Sequence, residues 1–226
     1  GYPFYNNGEV AGTLCFANDT TNEINELEAN EIVNRLLAQF QLSPNLKDGL
    51  AEMLAQICLE AEFSAAECWL PDYMHRKERL MAYHYPETPA FNKFKDFSST
   101  LEITFEADQV VSQQKDLIRI ENLFLQPEFS RKKACEEVGL AIGFSIPVEF
   151  ANQQIATLMF FSNQQPIEEL RVIRLIRKLA SQLGSYIESK RIALESKQIF
   201  QLVPDLLCIL DRSGRFYKVN NRFSEI

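Results

Sequence analysis

Apolar residues recur every three or four positions along two stretches early in the chain, a spacing that predicts amphipathic helices. The first stretch covers residues 23–40. The second follows a Ser-Pro pair. We expect Ser43 to be its N-cap and Pro44 its first helical residue, because serine accepts a hydrogen bond from the first turn and proline fits there. This helix is predicted to end near Phe63.

The third helical pattern, residues 167–200, is the longest. It carries apolar residues on two faces, which predicts burial against the protein's own sheet on one side and against a partner on the other. Past Tyr186 the sequence becomes polar. Such a helix would reach roughly 50 Å at about 1.5 Å per residue, more than a small domain needs, so we predict that it connects two units.

Between residues 66 and 162 the period changes, and short apolar runs bounded by turn residues predict strands. Residues 86–100 hold two prolines and three phenylalanines, and we expect a long excursion there. Phe150–Gln153 is predicted to be a hairpin turn and Gly139 the C-cap of a short helix. The predicted strands are Glu67–Leu70, Arg79–Tyr85, Leu101–Phe105, Leu117–Glu121, Leu140–Glu149 and Gln154–Ser162, and the predicted short helices are Asp108–Gln114 and Phe129–Val138.

Each end of the chain carries a predicted hairpin. Asn6-Asn7-Gly8 is a turn signal between the apolar runs Tyr2–Tyr5 and Val10–Phe16. Near the other end, strands are predicted at Leu206–Asp211 and Arg215–Val219. Because a two-stranded hairpin is marginally stable alone, we expect both ends to belong to larger units.

Composition and charge exclude several classes of function. The 226 residues are 46% apolar and 24% charged, which is typical of a globular protein. The net charge is −8 and the longest basic run is Arg131–Lys133, so nucleic acid and anionic membranes are not expected partners. The longest apolar run, Ile155–Phe161 with Thr157 inside it, is far shorter than the roughly 20 residues that span a bilayer. With no signal peptide visible, we expect a cytoplasmic location.

The cysteines and histidines also limit the chemistry. Five cysteines are spread along the chain without a CxxC pair, and only two histidines are present. A disulfide framework and a structural zinc site are therefore not expected.

The stretch NLFLQPEFSRKKACEEVGLAIGFSIPVEFANQQIATLMFFS (122–162) resembles a segment of GAF domains. In that family a helix ending in Gly precedes a strand with a Pro, a short turn, and a strand that ends in an aromatic pair, here Phe160-Phe161. ECWLPD (67–72) is similar to the family's first strand. The resemblance covers about residues 45–195. It implies an α+β fold with an antiparallel sheet, flanking helices and a long C-terminal signalling helix.

The two ends fit a tandem arrangement. Residues 1–42 resemble the tail of an upstream GAF-like domain plus a linker helix, 43–196 a complete GAF domain, and 197–226, with PDLLCILDRSGRFYKVN, the beginning of a PAS domain. This order resembles bacterial sensor histidine kinases, above all cyanobacterial ones. The resemblance implies a parent protein-histidine kinase with ATP-dependent autophosphorylation, whereas this segment itself is expected to be non-catalytic.

Two ligands of the family are disfavoured by the residues. Cys135 is followed by Glu136 rather than His and lies 12 residues before Pro147, which argues against a covalent bilin. The stretch SNQQPIEELR has Asn163 but neither the Lys nor the Asp-Glu pair of cyclic-nucleotide-binding members. No cofactor is therefore expected, and a small molecule of unknown identity stays open.

The resemblance implies a pocket and a dimer. Aromatic residues would converge on the pocket beside Cys135, either as plain core or as a ligand cage. We expect a parallel homodimer through the terminal helices that relays a signal to neighbouring GAF, PAS and kinase domains of the same chain. The predicted pocket residues are Trp69, Tyr83, Phe105, Phe129, Cys135 and Phe144, and the predicted dimer residues are Leu46, Leu50, Met53, Ile173, Ile176, Ala180, Leu183 and Ile187.

Two alternatives stay open. One is a dimerising spacer whose pocket is filled by its own side chains. The other is a thiol enzyme similar to the GAF branch that reduces free methionine sulfoxide, which needs a low-pKa thiol and a second thiol nearby. Arg131 and Lys132 lie within a turn of Cys135 and could lower its pKa, whereas Cys58 and Cys68 are expected to be core residues.

Overall fold

The computed structural model describes residues 2–6, 9–14, 21–72, 77–100, 103–104, 116–126, 129–166 and 168–224. The strands are β1 (Tyr2–Asn6), β2 (Glu9–Leu14), β3 (Ala65–Asp72), β4 (Lys77–His84), β5 (Ile103–Thr104), β6 (Ile118–Ile120), β7 (Ile142–Phe150), β8 (Gln153–Ser162), β9 (Cys208–Leu210) and β10 (Phe216–Val219). The helices are α1 (Thr21–Leu42), α2 (Leu46–Ala61), α3 (Pro89–Thr100), α4 (Lys132–Val138) and α5 (Glu169–Leu202), with 3-10 turns at Leu123–Leu125 and Asn221–Ser224.

Six strands form one antiparallel sheet in the order β5-β4-β3-β8-β7-β6. The predicted α+β fold with an antiparallel sheet and flanking helices is therefore confirmed. The predicted hairpin turn is also present, with Ala151 and Asn152 at positive φ, as a tight turn between twisted strands requires. Gly139 ends α4 in the left-handed conformation, as its sequence position indicated.

One local prediction was wrong. The N-cap of α2 is Asn45, whose side-chain oxygen accepts from the Asp48 amide at 2.8 Å, and not Ser43. Asparagine is at least as good a cap as serine, and Pro44 lies outside the helix. The excursion at 86–100 contains α3, with Phe91, Phe94 and Ser98 buried on one face. Their helical spacing was present in the sequence. The predicted helix Asp108–Gln114 lies outside the described residues.

Helices α1, α2 and α5 cover one face of the sheet and share an apolar core with it. The boundary predicted at residues 42 and 43 falls between α1 and α2, two helices that pack in this same core. The residues that α1 buries there are Ala29, Val33, Leu36, Leu37 and Phe40.

This packing corrects the predicted dimer surface. All but one of the predicted residues are buried inside the chain, because α1, α2, α5 and the sheet cover one another; only Ile173 is half-exposed. They cannot form a contact with a second copy while this core is intact. The buried ones are Leu46, Leu50, Met53, Ile176, Ala180, Leu183 and Ile187.

Helix α5 is 34 residues long and changes surroundings along its length. Its first half is buried as far as Ile187, and residues 191–199 are exposed. Two contacts fix where it leaves the core. Gly184 crosses the β7–β8 hairpin so closely that an added Cβ would lie 2.1 Å from the Glu149 carbonyl oxygen. Lys190 donates to the carbonyls of Gln41 (3.2 Å) and Ser43 (2.7 Å), at the C-terminal end of α1.

The C-terminal hairpin, β9 and β10, is tied to the end of α5 by a buried asparagine. Asn220 Nδ2 donates to the carbonyls of Val203 (3.2 Å) and Asp205 (2.8 Å). Its Oδ1 accepts from the Leu207 amide at 3.1 Å. The strand residues themselves are exposed. Among the described helices, none is long and apolar enough to cross a membrane.

The close approach at Gly184 predicts that replacing this helical glycine with alanine lowers the stability of the protein, the reverse of the usual effect. Glycine to alanine inside an exposed helix stabilises by roughly 1 kcal/mol. Gly184→Ala should instead destabilise by about 1–3 kcal/mol, because the new methyl overlaps the Glu149 carbonyl. Urea unfolding followed by circular dichroism measures the change, with Ser185→Ala as the exposed neighbouring control. A Gly184→Ala variant as stable as the natural chain would contradict this packing.

Candidate functional site

The second face of the sheet, which α3 and α4 cover, differs from the first in polarity. Six buried polar side chains lie on it or point to it, whereas the core on the opposite face is formed by apolar residues. The alternation of β3 and β8 puts Glu67, Trp69, Thr157 and Met159 on this face. We call it the polar face. Its six buried polar residues are Glu67, Glu78, Ser98, Arg131, Ser145 and Thr157.

An ion pair forms the centre of the polar face. Glu67 is 0% exposed and Arg131 is 1% exposed. Arg131 Nη1 donates to both carboxylate oxygens, at 2.6 and 2.7 Å, and to Ser98 Oγ at 3.2 Å. Trp69 Nε1 (2.8 Å) and the Tyr85 hydroxyl (2.5 Å) also donate to Glu67. The carboxylate therefore accepts four hydrogen bonds, which compensate the cost of its burial.

Aromatic rings surround the guanidinium. Its Cζ lies 5.2 to 5.7 Å from the centroids of four rings, close enough for cation–π attraction. Burial lowers the pKa of Arg131, but the charge of Glu67 and its hydrogen bonds outweigh burial and hold that pKa above its usual value. Arg131 is therefore positively charged at every physiological pH. The four rings are those of Trp69, Phe94, Phe129 and Phe161.

The structure brings together only part of the predicted pocket. Trp69, Phe129 and Cys135 lie in one cluster on the polar face. Tyr83 is half-buried on that face and stacks on Tyr85, with ring centroids 4.7 Å apart. Phe144 is on the opposite face against Phe63, at 5.6 Å, because β7 directs alternate residues to opposite sides. Including Phe144 in the pocket was wrong.

Phe105 lies outside the described residues. The sequence reasoning missed the ion pair and its neighbours. One signal was available: Glu67 is a charged residue within AAECW, a stretch in which all five residues are buried. A carboxylate in a fully buried strand requires a cationic or hydrogen-bonding partner. The basic run Arg131–Lys133 contained the candidate cation.

The three buried thiols that the structure describes are not activated by their surroundings. Burial raises the pKa of Cys135 to about 12, although the charge of Arg131 lowers it. Burial also raises the pKa of Cys58 to about 12 and raises that of Cys68. Arg131 does lower the pKa of Cys135, as its place in the sequence indicated, but the effect of burial is larger. Cys208 is exposed, and the cysteines 58, 68, 135 and 208 are all free thiols.

Open space lies next to the ring cluster. A groove of about 470 Å³ runs between α3 and α4. Its lining includes Phe94, Ala134 and three lysines, Lys93, Lys132 and Lys133. Phe94 is shared with the ring cluster. Within the described ranges, no three side chains of the types that bind metals lie together.

Comparison with known proteins finds similarity in structure but not in sequence. No protein-family model matches the sequence, and no curated protein matches it. Solved structures do match, at low sequence identity. The GAF domain of a phosphoenolpyruvate-protein phosphotransferase from Coxiella burnetii is 16% identical with a TM-score of 0.62, over 76% of this chain and 99% of that one.

Two further matches differ in function. The GAF domain of a candidate sensor histidine kinase from Pseudomonas syringae is 15% identical, with a TM-score of 0.54 over 80% of this chain and 99% of that one. The free methionine-R-sulfoxide reductase of Neisseria meningitidis, solved with its substrate, is 14% identical, with a TM-score of 0.58 over 80% and 98%. These likenesses agree with the sheet order and helix placement described above: the chain has a GAF-like fold.

Proposed function

We propose that this chain is a sensory and relay segment of a multi-domain signalling protein. The polar face receives a signal, and α5 carries it to the unit that follows. One observation carries the proposal: a single helix is buried in the GAF core in its first half and tied to the next hairpin at its end.

The contacts of α5 suit it to transmit motion. Gly184 and Lys190 hold it against the β7–β8 hairpin and the end of α1, and Asn220 holds the hairpin to its C-terminus. A helix of 34 residues is about 50 Å long. A shift at the core therefore moves the far end, since no break in the helix absorbs it.

Strand β8 connects the polar face with α5. Met159 and Phe161 are on the polar face, whereas Leu158 and Phe160 belong to the core that α5 shares. A change around Arg131, which contacts Met159 Sδ at 3.2 Å, therefore acts on a strand in the core beneath α5. A ligand biases this arrangement only if it binds one state of the strand better than the other.

We also propose a parallel homodimer, with its contact on the exposed half of α5. Ile192 and Ile199 are seven residues apart and Leu202 follows three later, the spacing of a coiled-coil seam. They are 55%, 64% and 79% exposed within one chain. A parallel arrangement gives two identical downstream units the same register.

The wider setting belongs to the same proposal. Neighbouring GAF, PAS and kinase domains are the partners, within a cytoplasmic protein-histidine kinase that autophosphorylates with ATP, while this segment performs no catalysis. The likeness to a domain of a candidate sensor kinase supports this setting. The net charge of −8 argues against nucleic acid as a partner. No bilin, nucleotide or metal is proposed as a cofactor.

A second candidate is a dimerising spacer without a ligand. The side chains of Glu67 and Arg131 fill the centre of the ring cluster, and this observation favours it. Both the spacer and the sensor proposals include the homodimer. They differ in whether a small molecule binds at the polar face. A sulfoxide reductase is disfavoured by its need for a reactive thiol, despite the likeness to the Neisseria enzyme.

The dimer contact predicts the effect of one charge. Ile199→Glu should weaken self-association at least about tenfold, because each copy buries a carboxylate in place of an isoleucine worth roughly 1.5–3 kcal/mol. Sedimentation velocity over a range of concentrations measures this. Ala193→Glu, also exposed but turned away from the seam, is the matched control. A chain that is monomeric, or equal association of both variants, would contradict the proposed contact.

The thiol environments predict a labelling pattern. With a pKa of about 12, Cys135 is thiolate to roughly one part in 10⁴ at pH 8. Among Cys58, Cys68, Cys135 and Cys208, iodoacetamide should therefore label Cys208 first, and Cys135 should react only when the protein unfolds. Peptide mass spectrometry resolves the sites. Labelling of Cys135 in the folded protein as fast as Cys208 would revive the thiol-enzyme alternative.

A further inference from the structure

We propose that the polar face holds a binding site for a small guanidinium or alkylammonium cation, and that Arg131 is the resident occupant that this ligand displaces. We call the site the cation cage, defined by Glu67 and the rings of Trp69, Phe94, Phe129 and Phe161. This inference rests on the proposed sensory function and assigns the class of its ligand.

The walls of the cation cage favour positive charge. Glu67 supplies a carboxylate, four rings direct their π systems at the guanidinium, and Ser98 and Met159 supply acceptor atoms. Among the buried residues that the structure describes, Arg131 is the only lysine or arginine. Without its guanidinium the cage would be negatively charged and lined by acceptors, which is how proteins recognise guanidinium and quaternary ammonium groups.

The hydrogen-bond geometry between Arg131 and Glu67 is not optimal, so a free ligand can pair with the carboxylate more favourably. Both oxygens of Glu67 are bonded by the same nitrogen, Nη1, rather than by two nitrogens of the guanidinium fork. The other nitrogen, Nη2, donates to the thioether of Met159, a weak acceptor. A guanidinium that is not attached to the backbone at residue 131 is free to pair side-on, the bidentate geometry that carboxylates prefer.

Exchange of one cation for another avoids the usual cost of burying charge. The ligand loses its hydration as it enters, and the guanidinium of Arg131 regains hydration as it leaves, so the two terms largely cancel. Arg131 directly precedes α4, a helix of seven residues that starts without a side-chain cap and ends at Gly139 with φ +74°. This short segment is what must move when Arg131 leaves.

The attached Arg131 competes with any free cation. A tethered group acts at an effective concentration on the order of millimolar, which lowers the apparent affinity of a ligand for the natural chain. Removal of the Arg131 side chain should therefore create a stronger cation site. A site that served to bind anions through Arg131 would respond in the opposite way.

The only tryptophan of the chain reports on the cage. Trp69 donates to Glu67 at 2.8 Å, and its ring centroid lies 5.4 Å from the guanidinium carbon. We would titrate the 226-residue chain with methylguanidinium chloride and follow its fluorescence, with sodium chloride as the salt control. Tetramethylammonium chloride and sodium acetate test the cation and anion classes. Saturable changes are expected with both organic cations, and none with acetate.

Variants make the test decisive. Arg131→Ala should bind methylguanidinium at least about tenfold more tightly than the natural chain. Adding Glu67→Gln should abolish that binding, because the cage then lacks its carboxylate. Arg35→Ala removes an exposed arginine, 54% accessible and paired with Glu60, and should behave as the natural chain does. Arg131→Met fills the cage with an uncharged side chain of similar length and should give no response.

The proposal can also be tested if the Arg131→Ala variant does not fold. If Arg131→Ala is unfolded, methylguanidinium at tens of millimolar should restore its helical circular dichroism, and a lack of rescue overturns the proposal. So does a folded Arg131→Ala that responds no more than Arg35→Ala, or a saturable response to acetate alone. If the cation tests fail but the chain still dimerises through α5, the cation ligand is ruled out. The chain is then a dimerising spacer that relays a signal without a ligand of its own.

Discussion

The buried ion pair between Glu67 and Arg131 is the constraint on which the polar face depends. Glu67 is fully buried in a central strand, and removing the partner of such a group costs about 3–5 kcal/mol. Trp69, Tyr85 and Ser98 are oriented by hydrogen bonds to this pair, and four rings pack around the guanidinium. The position of α4 follows as well, because Arg131 is the residue from which that helix starts.

The opposite face of the sheet is held to its helices mainly by the packing of apolar side chains. There α1, α2 and α5 bury apolar side chains, and the glycine at 184 allows α5 to touch the β7–β8 hairpin. The two faces share strands β3, β7 and β8, so the charged site and the long helix are separated by one layer of backbone. This arrangement links a small polar site to a helix that extends beyond the domain, as a relay requires.

Features that depend on the local spacing of apolar residues and on turn residues were predicted from the sequence. The stripes of α1, α2 and α5, the hairpin around Ala151 and the cap at Gly139 are local signals, and all were found. Pairings across the fold were not predictable in the same way. Glu67 and Arg131 are 64 residues apart, and which helix covers α5 depends on how α1 folds back. The dimer surface was misplaced because α1 packs on α5 within the chain. Phe144 was misplaced because strand alternation was not applied to β7.

Hydrogen exchange at the C-terminal hairpin tests the central claim that the polar face communicates with the end of α5. Glu67→Gln perturbs the polar face, and Leu54→Ala in α2 removes a fully buried side chain elsewhere at a similar cost of about 2–5 kcal/mol. Mass spectrometry would compare exchange across residues 203–210, where the Leu207 amide is bonded to Asn220. We predict faster exchange there in Glu67→Gln than in Leu54→Ala. Equal exchange in the two variants would contradict the relay.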